Sequence, residues 1–260
     1  MSIFFAMRSF GLLIVLILIF GEIEPANAQQ AQFDYANELM QDQRIEEALD
    51  TYRIIENNGY LSGKLYYNMA IAALYQDSLG VAKYYLLQSV KYPDVHSDAS
   101  EALQYVEQQF NRRSAVLPKL PWERFFEWLE ENFGATALIL LGLFLFNISA
   151  GGIIGSWFAD KGSILLKRAG YAAGILSILL ISFSFYLQYV DSRFGTAVMT
   201  DRQTIVHENP LSSSALISSA YEGYTMRVDH KRSEQNENWY YVRLQNGMYG
   251  WIEREKVRIF

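Results

Sequence analysis

The pattern of hydrophobic and polar positions is dominated by two apolar stretches. Residues 133–159 run for 27 positions without a charged side chain, and residues 169–190 run for 22. At roughly 1.5 Å of rise per residue, either stretch forms a helix able to cross a hydrocarbon core of about 30 Å. A short loop, residues 160–168, lies between them and carries Lys161, Lys167 and Arg168. A hairpin of two spans returns the chain to the side it left. Residues 29–132 and 191–260 are therefore expected to face the same compartment.

The N-terminus and the loop charges give two independent indications of which compartment that is. Arg8 precedes a charge-free run from Ser9 to Gly21, and a polar stretch then ends at Ala26-Asn27-Ala28. A positive start, a short apolar centre and small residues before a cut describe a secretory signal over residues 1–28, with the mature chain starting at Gln29. An uncleaved anchor is the alternative. Basic residues favour the cytoplasmic side of a membrane. The loop has three bases, whereas residues 119–132 have two bases against four glutamates. This places the loop in the cytoplasm and both soluble segments on the exported side.

Residues 29–118 read as helical. Ala36, Leu39, Ile45, Ala48 and Tyr52 recur 34 positions later as Ala70, Ala73, Leu79, Ala82 and Leu86. Small residues beside large ones at helical spacing are what two closely crossing antiparallel helices need. A further helix, residues 97–111, would close the stack. The period and the segment Tyr66-Tyr67-Asn68-Met69-Ala70 resemble the tetratricopeptide repeat. Ser89 departs from its usual alanine, Pro93 comes one place early, and the first unit lacks the opening aromatic. The resemblance implies a surface that grips a partner protein, with Tyr66, Tyr67, Tyr75, Tyr84 and Tyr85 as candidate contacts. A spacer or self-association surface is the other reading of so short an array.

Residues 119–132 place Trp122, Phe125, Phe126 and Leu129 on one helical face, continued by Phe133, with Glu123, Glu127, Glu130 and Glu131 mostly elsewhere. This is the signature of an interfacial amphipathic helix. Trp157, Tyr186 and Tyr189 sit near span ends, where aromatic anchors belong. Gly151 and Gly155 in the first span lie at a depth similar to Gly170 and Gly174 in the second, so these four are expected to pack the hairpin. Asn147, deep in the first span, would contact the second helix or a partner span.

From residue 191 onward the pattern becomes β-like. Residues 196–199, 203–207, 224–228, 239–244 and 249–253 are candidate strands, with 256–260 as a sixth and a longer loop from Asn209-Pro210. Asn246-Gly247 signals a tight hairpin. The run Trp239-Tyr240-Tyr241-Val242-Arg243-Leu244, followed by Asn246-Gly247 and Gly250-Trp251-Ile252, resembles the bacterial SH3 domain, a small β-barrel that binds peptides or cell-wall material. Tyr221, Trp239, Tyr249 and Trp251 are candidates for its ligand surface. A barrel this small also needs aromatics inside, and most of the four are expected in the core.

Charge and composition remove several functions. Residues 29–118 carry twelve acids against seven bases, and residues 191–260 carry nine of each. A concentrated basic face for nucleic acid is thus missing from the sequence. The chain has no cysteine and three histidines, His96, His207 and His230, without ligand spacing. The cysteine–histidine pair of cell-wall peptidases is impossible, and neither a phosphate loop nor a metal motif is present, so no cofactor, metal or catalytic residue is expected.

The order of signal, short repeat array, two spans and SH3-like domain resembles the BatE family of the Bacteroides aerotolerance operon. That likeness implies a multidomain, non-enzymatic inner-membrane scaffold. Its partners would be Bat proteins with von Willebrand A domains and, indirectly, a MoxR-type ATPase, and its role would lie in oxygen or envelope stress. The alternative is an envelope sensor whose SH3-like domain binds cell-wall peptide or peptidoglycan.

Overall fold

The computed structural model describes residues 23–110, 112, 115–118, 121–158 and 163–260. Residues 1–22 of the expected signal, and Asp160, Lys161 and Gly162 of the loop, lie outside the described residues. So do the side chains of Trp122, Glu123, Glu127, Glu130 and Glu131. Five helices come first: α1 (Ile23–Gln41), α2 (Ile45–Asn57), α3 (Gly63–Tyr75), α4 (Leu79–Ser89) and α5 (His96–Gln109). Two long helices follow, α6 (Pro121–Gly155) and α7 (Ser163–Arg193). The chain ends in seven strands: β1 (Phe194–Met199), β2 (Gln203–His207), β3 (Leu216–Tyr221), β4 (Thr225–Asp229), β5 (Trp239–Leu244), β6 (Tyr249–Glu253) and β7 (Val257–Ile259). A single helical turn, α8 (His230–Ser233), follows β4.

The 34-residue periodicity is visible in both core and backbone. Ala36, Leu39, Ala48 and Tyr52 are buried, and so are Ala70, Ala73, Ala82 and Leu86, while Ile45 and Leu79 pack on the same core from its edge. Between the helices of each pair one residue takes a left-handed conformation, Gln43 at φ 60° and Asp77 at φ 54°, 34 positions apart. Asn37 Oδ1 joins the two units by accepting hydrogen bonds from the Tyr52 hydroxyl at 2.6 Å and from Asn68 Nδ2 at 2.8 Å. Ser62 caps α3, its hydroxyl accepting from the Leu65 amide at 3.1 Å, which satisfies one of the free donors of the first turn.

The membrane-length portions are Asn132–Gly155 and Ile164–Arg193, so the first span ends earlier than its charge-free run and the second extends beyond its run at both ends. A turn over residues 156–158 stops α6, with the Trp157 amide donating to Ile154 O at 3.0 Å. Lys167 and Arg168 fall inside the start of α7, where long basic side chains can reach out of the apolar layer. Gly134, at φ 65°, kinks α6 where the interfacial segment meets the span. Of the expected aromatic face, Phe126 packs on Phe183 of α7 with ring centroids 5.0 Å apart, while Phe125 and Phe133 stay exposed.

The hairpin is packed inside out relative to a water-soluble bundle. Ser149, Ser156, Ser177 and Ser184 are buried between α6 and α7, whereas Leu140, Phe144, Phe146, Ile175, Ile178 and Phe185 face outward. Only 17% and 22% of the two apolar windows are buried. A core helix would bury its leucines; this arrangement suits a lipid surround, in which small residues let helices approach closely. Ser177 Oγ donates to Gly142 O and Ser184 Oγ donates to Ala135 O, both at 2.7 Å across the helix pair.

Gly151 is not part of this seam. A Cβ built on Gly151 meets nothing within 4 Å, because it lies on the outward face with Asn147. Gly152, one residue on, takes the inward place against Gly170. Gly155 meets only the end of Leu166, and Gly174 faces the Ser149 hydroxyl. Asn147 donates to Leu143 O of its own helix at 2.8 Å and leaves the second helix untouched.

The strands form one antiparallel sheet in the order β3-β2-β6-β5-β4-β1-β7, where a small barrel was expected. Strand β3 falls in the stretch assigned to a loop. Its sequence Leu-Ile-Ser-Ser-Ala-Tyr has two serines at its centre, which weaken the β signal, and it occupies an edge. The Asn246-Gly247 hairpin has a three-residue loop, with Gly247 at φ 86° and Asn246 Oδ1 accepting from the Met248 amide at 3.1 Å.

The two soluble parts touch. Gly80 N donates to Glu222 Oε1 at 2.7 Å, Lys83 Nζ donates to Gly223 O at 3.0 Å, and Arg258 Nη1 donates to the Tyr85 hydroxyl at 2.8 Å. Lys83 is almost fully buried there and also pairs with Glu107 at 3.2 Å. Gly80 lies so close to β1 that a Cβ would stand 2.5 Å from Met199 O. Helix α4 is thus docked on the start of the sheet, across a sequence gap that contains both spans.

Candidate functional site

Strand alternation divides the sheet into two faces. In β5, Val242 and Leu244 turn inward and are buried; in β6, Gly250 and Ile252 do the same. Together with Ala197, Met199, Val206, Ala220, Met226, Val228 and Val257 they make the core. Trp239, Tyr241 and Arg243 of β5, with Tyr249 and Trp251 of β6, therefore turn outward. This corrects the expectation that most of these four aromatics fill the interior: none of Tyr221, Trp239, Tyr249 and Trp251 is buried, and alanine, valine, leucine, isoleucine and methionine side chains occupy the interior, with Tyr224 and Tyr240 packed against it.

Gly250 has a definite structural task. A Cβ there would lie 2.5 Å from Val206 Cγ1 and 2.7 Å from His207 O. Glycine is the residue that lets β2 approach β6 so closely, and the two strands pair where His207 faces Trp251. The glycine fixes the crossing, and the next residue in the alternation, Trp251, is presented on the outer face.

The outward rings form a strip of two neighbouring groups, adjoining where His207 of β2 pairs with Trp251 of β6. Tyr241 meets Trp251 edge-on at 5.2 Å between centroids and stacks with Tyr249 at 6.2 Å. Trp239 meets His207 edge-on at 5.4 Å, and His207 Nδ1 lies 3.2 Å from Ser214 O, which fixes that ring. His207 is itself buried, whereas the preset, partly exposed tryptophan and tyrosine rings cost little ordering on binding and offer flat apolar faces with polar edges. Sugar rings and extended peptides are the partners such a strip fits.

Of the expected ligand residues, Trp239, Tyr249 and Trp251 are brought together and Tyr221 is not. Tyr221 packs edge-on against Tyr224 at 5.6 Å and lies under the Arg112 guanidinium at 4.3 Å, beside a cavity of about 390 Å³ at the junction with the helices. Tyr241 also belongs to the strip, and the buried His207 supports it by packing on Trp239; neither is among the residues expected from the sequence. For Tyr241 the signal was present, since it lies two residues from Trp239 on the same strand face; His207 joins only through the β2–β6 crossing.

The tyrosines proposed as partner contacts in the helices separate by depth. Tyr66 and Tyr85 are buried, and burial pushes the Tyr66 hydroxyl up to about 12 and raises that of Tyr85 as well. Both are core residues, a correction to the sequence reading. Tyr84 is half-buried, meeting Tyr85 at 5.0 Å, and both rings lie under Arg258 of β7. Tyr67 is half-buried on the helical core, and Tyr75 is 71% exposed. Much of the surface that the α4 tyrosines would offer to another protein is therefore occupied by the chain's own sheet.

No curated protein matches the chain. Within it, residues 200–258 match the GW (Gly-Tryp) dipeptide domain, and Gly250-Trp251 supplies such a dipeptide in β6. Residues 200–258, from β2 to β7, accordingly form a GW domain, an SH3b-like β domain of the kind used in cell-wall binding.

Proposed function

We propose that this is a non-enzymatic, membrane-anchored binding protein that holds cell-wall material through the outer face of its GW domain. The observation that carries this reading is the strip of Trp239, Tyr241, Tyr249 and Trp251, set outward by strand alternation within the matched domain. The hairpin anchors the domain, and the helical part docks on it from the same side. The signal-like N-terminus and the basic loop support an orientation with both soluble parts in the periplasm. The absence of cysteine supports binding over wall cleavage by a cysteine peptidase.

The test is sedimentation of the detergent-solubilised full chain with purified peptidoglycan sacculi. Removing two adjoining rings (Tyr241→Ala with Trp251→Ala) should weaken binding by at least about tenfold, given roughly 1 kcal/mol or more per buried ring contact. Tyr75→Ala, on the helical part, should leave it unchanged. Equal sedimentation of all three proteins would refute the proposal.

A second reading is a scaffold of Bat type, holding a von Willebrand A-domain protein through a tetratricopeptide-like array. It is favoured by the 34-residue register, shared even by the left-handed turns at Gln43 and Asp77, and by the exposed rings of Tyr35, Tyr75 and Tyr105. Docking of α4 on the sheet leaves this reading less free surface than the sequence suggested.

A further inference from the structure

Where α7 becomes β1, the outer face of the sheet carries a groove of about 280 Å³ with four arginines, Arg193, Arg227, Arg232 and Arg243. Asp229 is the one carboxylate in its lining. Arg193 uses its guanidinium on Asp229, at 2.9 Å, and on the Tyr189 hydroxyl. The side chain of Asp229 is largely buried; burial opposes its charge, but Arg193 and the Arg232 amide outweigh that and hold its carboxyl below the usual range. It stays ionised and neutralises one arginine of the four.

The other three make no salt bridge among the described residues, although Arg232 also lies within the field of Asp229. Each instead lies over a ring: Arg227 over Phe194 at 4.2 Å, Arg232 over Tyr241 at 4.2 Å and Arg243 over Tyr249 at 5.5 Å. Stacking of this kind covers the face of a guanidinium and leaves its in-plane N–H groups free, which is the presentation that a phosphate accepts. The groove thus holds a net charge of about +3 with oriented donors and no internal acceptor for them.

Its position identifies the source of the phosphate. Arg193 is the last residue of α7 and Phe194 the first of β1, with no linker between them. The charge-free run ends at Val190, so Arg193 stands about 5 Å beyond it along the helix, within a headgroup layer roughly 5–8 Å thick. Arg227, although opposite Thr196 in the sheet, has its guanidinium directed back over Phe194, to that same level.

We infer that this groove binds the phosphate of an anionic phospholipid headgroup and so seats the GW domain on the membrane surface. The inference goes beyond the cell-wall reading; Tyr241 and Tyr249 of the strip also line the groove, but its phosphate donors are the arginines, and Arg227 lies over Phe194, outside the strip. The test is native mass spectrometry of the full chain in detergent, titrated with phosphatidylglycerol, phosphatidylcholine and inorganic phosphate. The wild type should bind phosphatidylglycerol about tenfold more tightly than phosphatidylcholine. Arg227→Gln with Arg243→Gln should lose about tenfold in phosphatidylglycerol binding, with phosphatidylcholine binding unchanged, and Arg227→Gln alone, whose ring partner Phe194 is outside the strip, should leave sacculus binding unchanged. Arg202→Gln with Lys64→Gln, which removes the same charge elsewhere, should behave as wild type. An unchanged preference in the groove variant would overturn the inference. So would displacement of the lipid by an equal concentration of inorganic phosphate, which would assign the groove to the free anion.

Discussion

Gly170→Leu is expected to open the membrane hairpin. A Cβ at Gly170 would meet the Ile153 amide nitrogen and the Ser149 carbonyl, both at 3.2 Å, in addition to Ile153 Cγ1 at 3.0 Å. Two of the three are backbone atoms of α6, so the helices themselves must separate, and with them the inter-helix bonds from Ser177 and Ser184. We expect a loss of about 3 kcal/mol or more in the thermal stability of the hairpin in detergent. Gly174→Leu should cost less, because the atom in its way is the Ser149 hydroxyl, which can rotate. Gly151→Leu points into open space and should change stability by no more than about 0.5 kcal/mol. Equal effects at Gly151 and Gly170 would show that the seam runs elsewhere.

The second large effect is expected at the contact between the soluble parts. In Gly80→Leu the new side chain is driven against Met199 O and the Thr200 backbone, and the amide bond to Glu222 is pulled apart. The neighbouring Lys83 then loses its acceptor, Gly223 O. Lys83 keeps its ion pair with Glu107, but a charged hydrogen bond is worth roughly 1.5–3 kcal/mol and the backbone clash adds to that loss, so docking should weaken by about 3 kcal/mol, roughly a hundredfold. Hydrogen exchange reads this directly. The amides of α4 and of the turn at Tyr221–Gly223 should lose protection, while the separate cores around Tyr52 and Val242 keep theirs. Uniform loss throughout both parts would mean that the substitution unfolds the chain rather than undocking it.

How much of this was legible in the sequence follows from the kind of signal each element carries. The helical repeat was readable because burial there depends on small residues at a fixed period, and all ten periodic positions lie in or against the core. The two spans were readable from length and lack of charge, but not their packing. Gly151 and Gly152 are adjacent, and only the rotation of α6 about its axis decides which of them meets Gly170. In the β domain the strand positions were largely visible, whereas the faces were not used to full effect. Alternation alone puts Val242 and Leu244 opposite to Trp239 and Tyr241, yet residue size suggested aromatics for the core. Strand β3 was missed because its serines resemble a loop. The docking of α4 had no sequence signal at all, since Gly80, Lys83 and Tyr85 meet residues about 140 to 170 positions away. The arginine groove was equally invisible, because its members come from α7, β4, α8 and β5, and the domain as a whole balances nine acids with nine bases.

The helical part and the GW domain touch, and we propose that the hairpin returns the chain to one side of the membrane, with both parts exported as one body. The natural absence of cysteine makes the direct measurement simple. Single cysteines at Lys64, at Glu237 and at Lys161 are labelled in intact spheroplasts with a membrane-impermeant maleimide, and again after lysis. Lys64→Cys and Glu237→Cys should label fully from outside, and Lys161→Cys only after lysis. Labelling of Lys64→Cys and Glu237→Cys from opposite sides would contradict the hairpin and the docked body together.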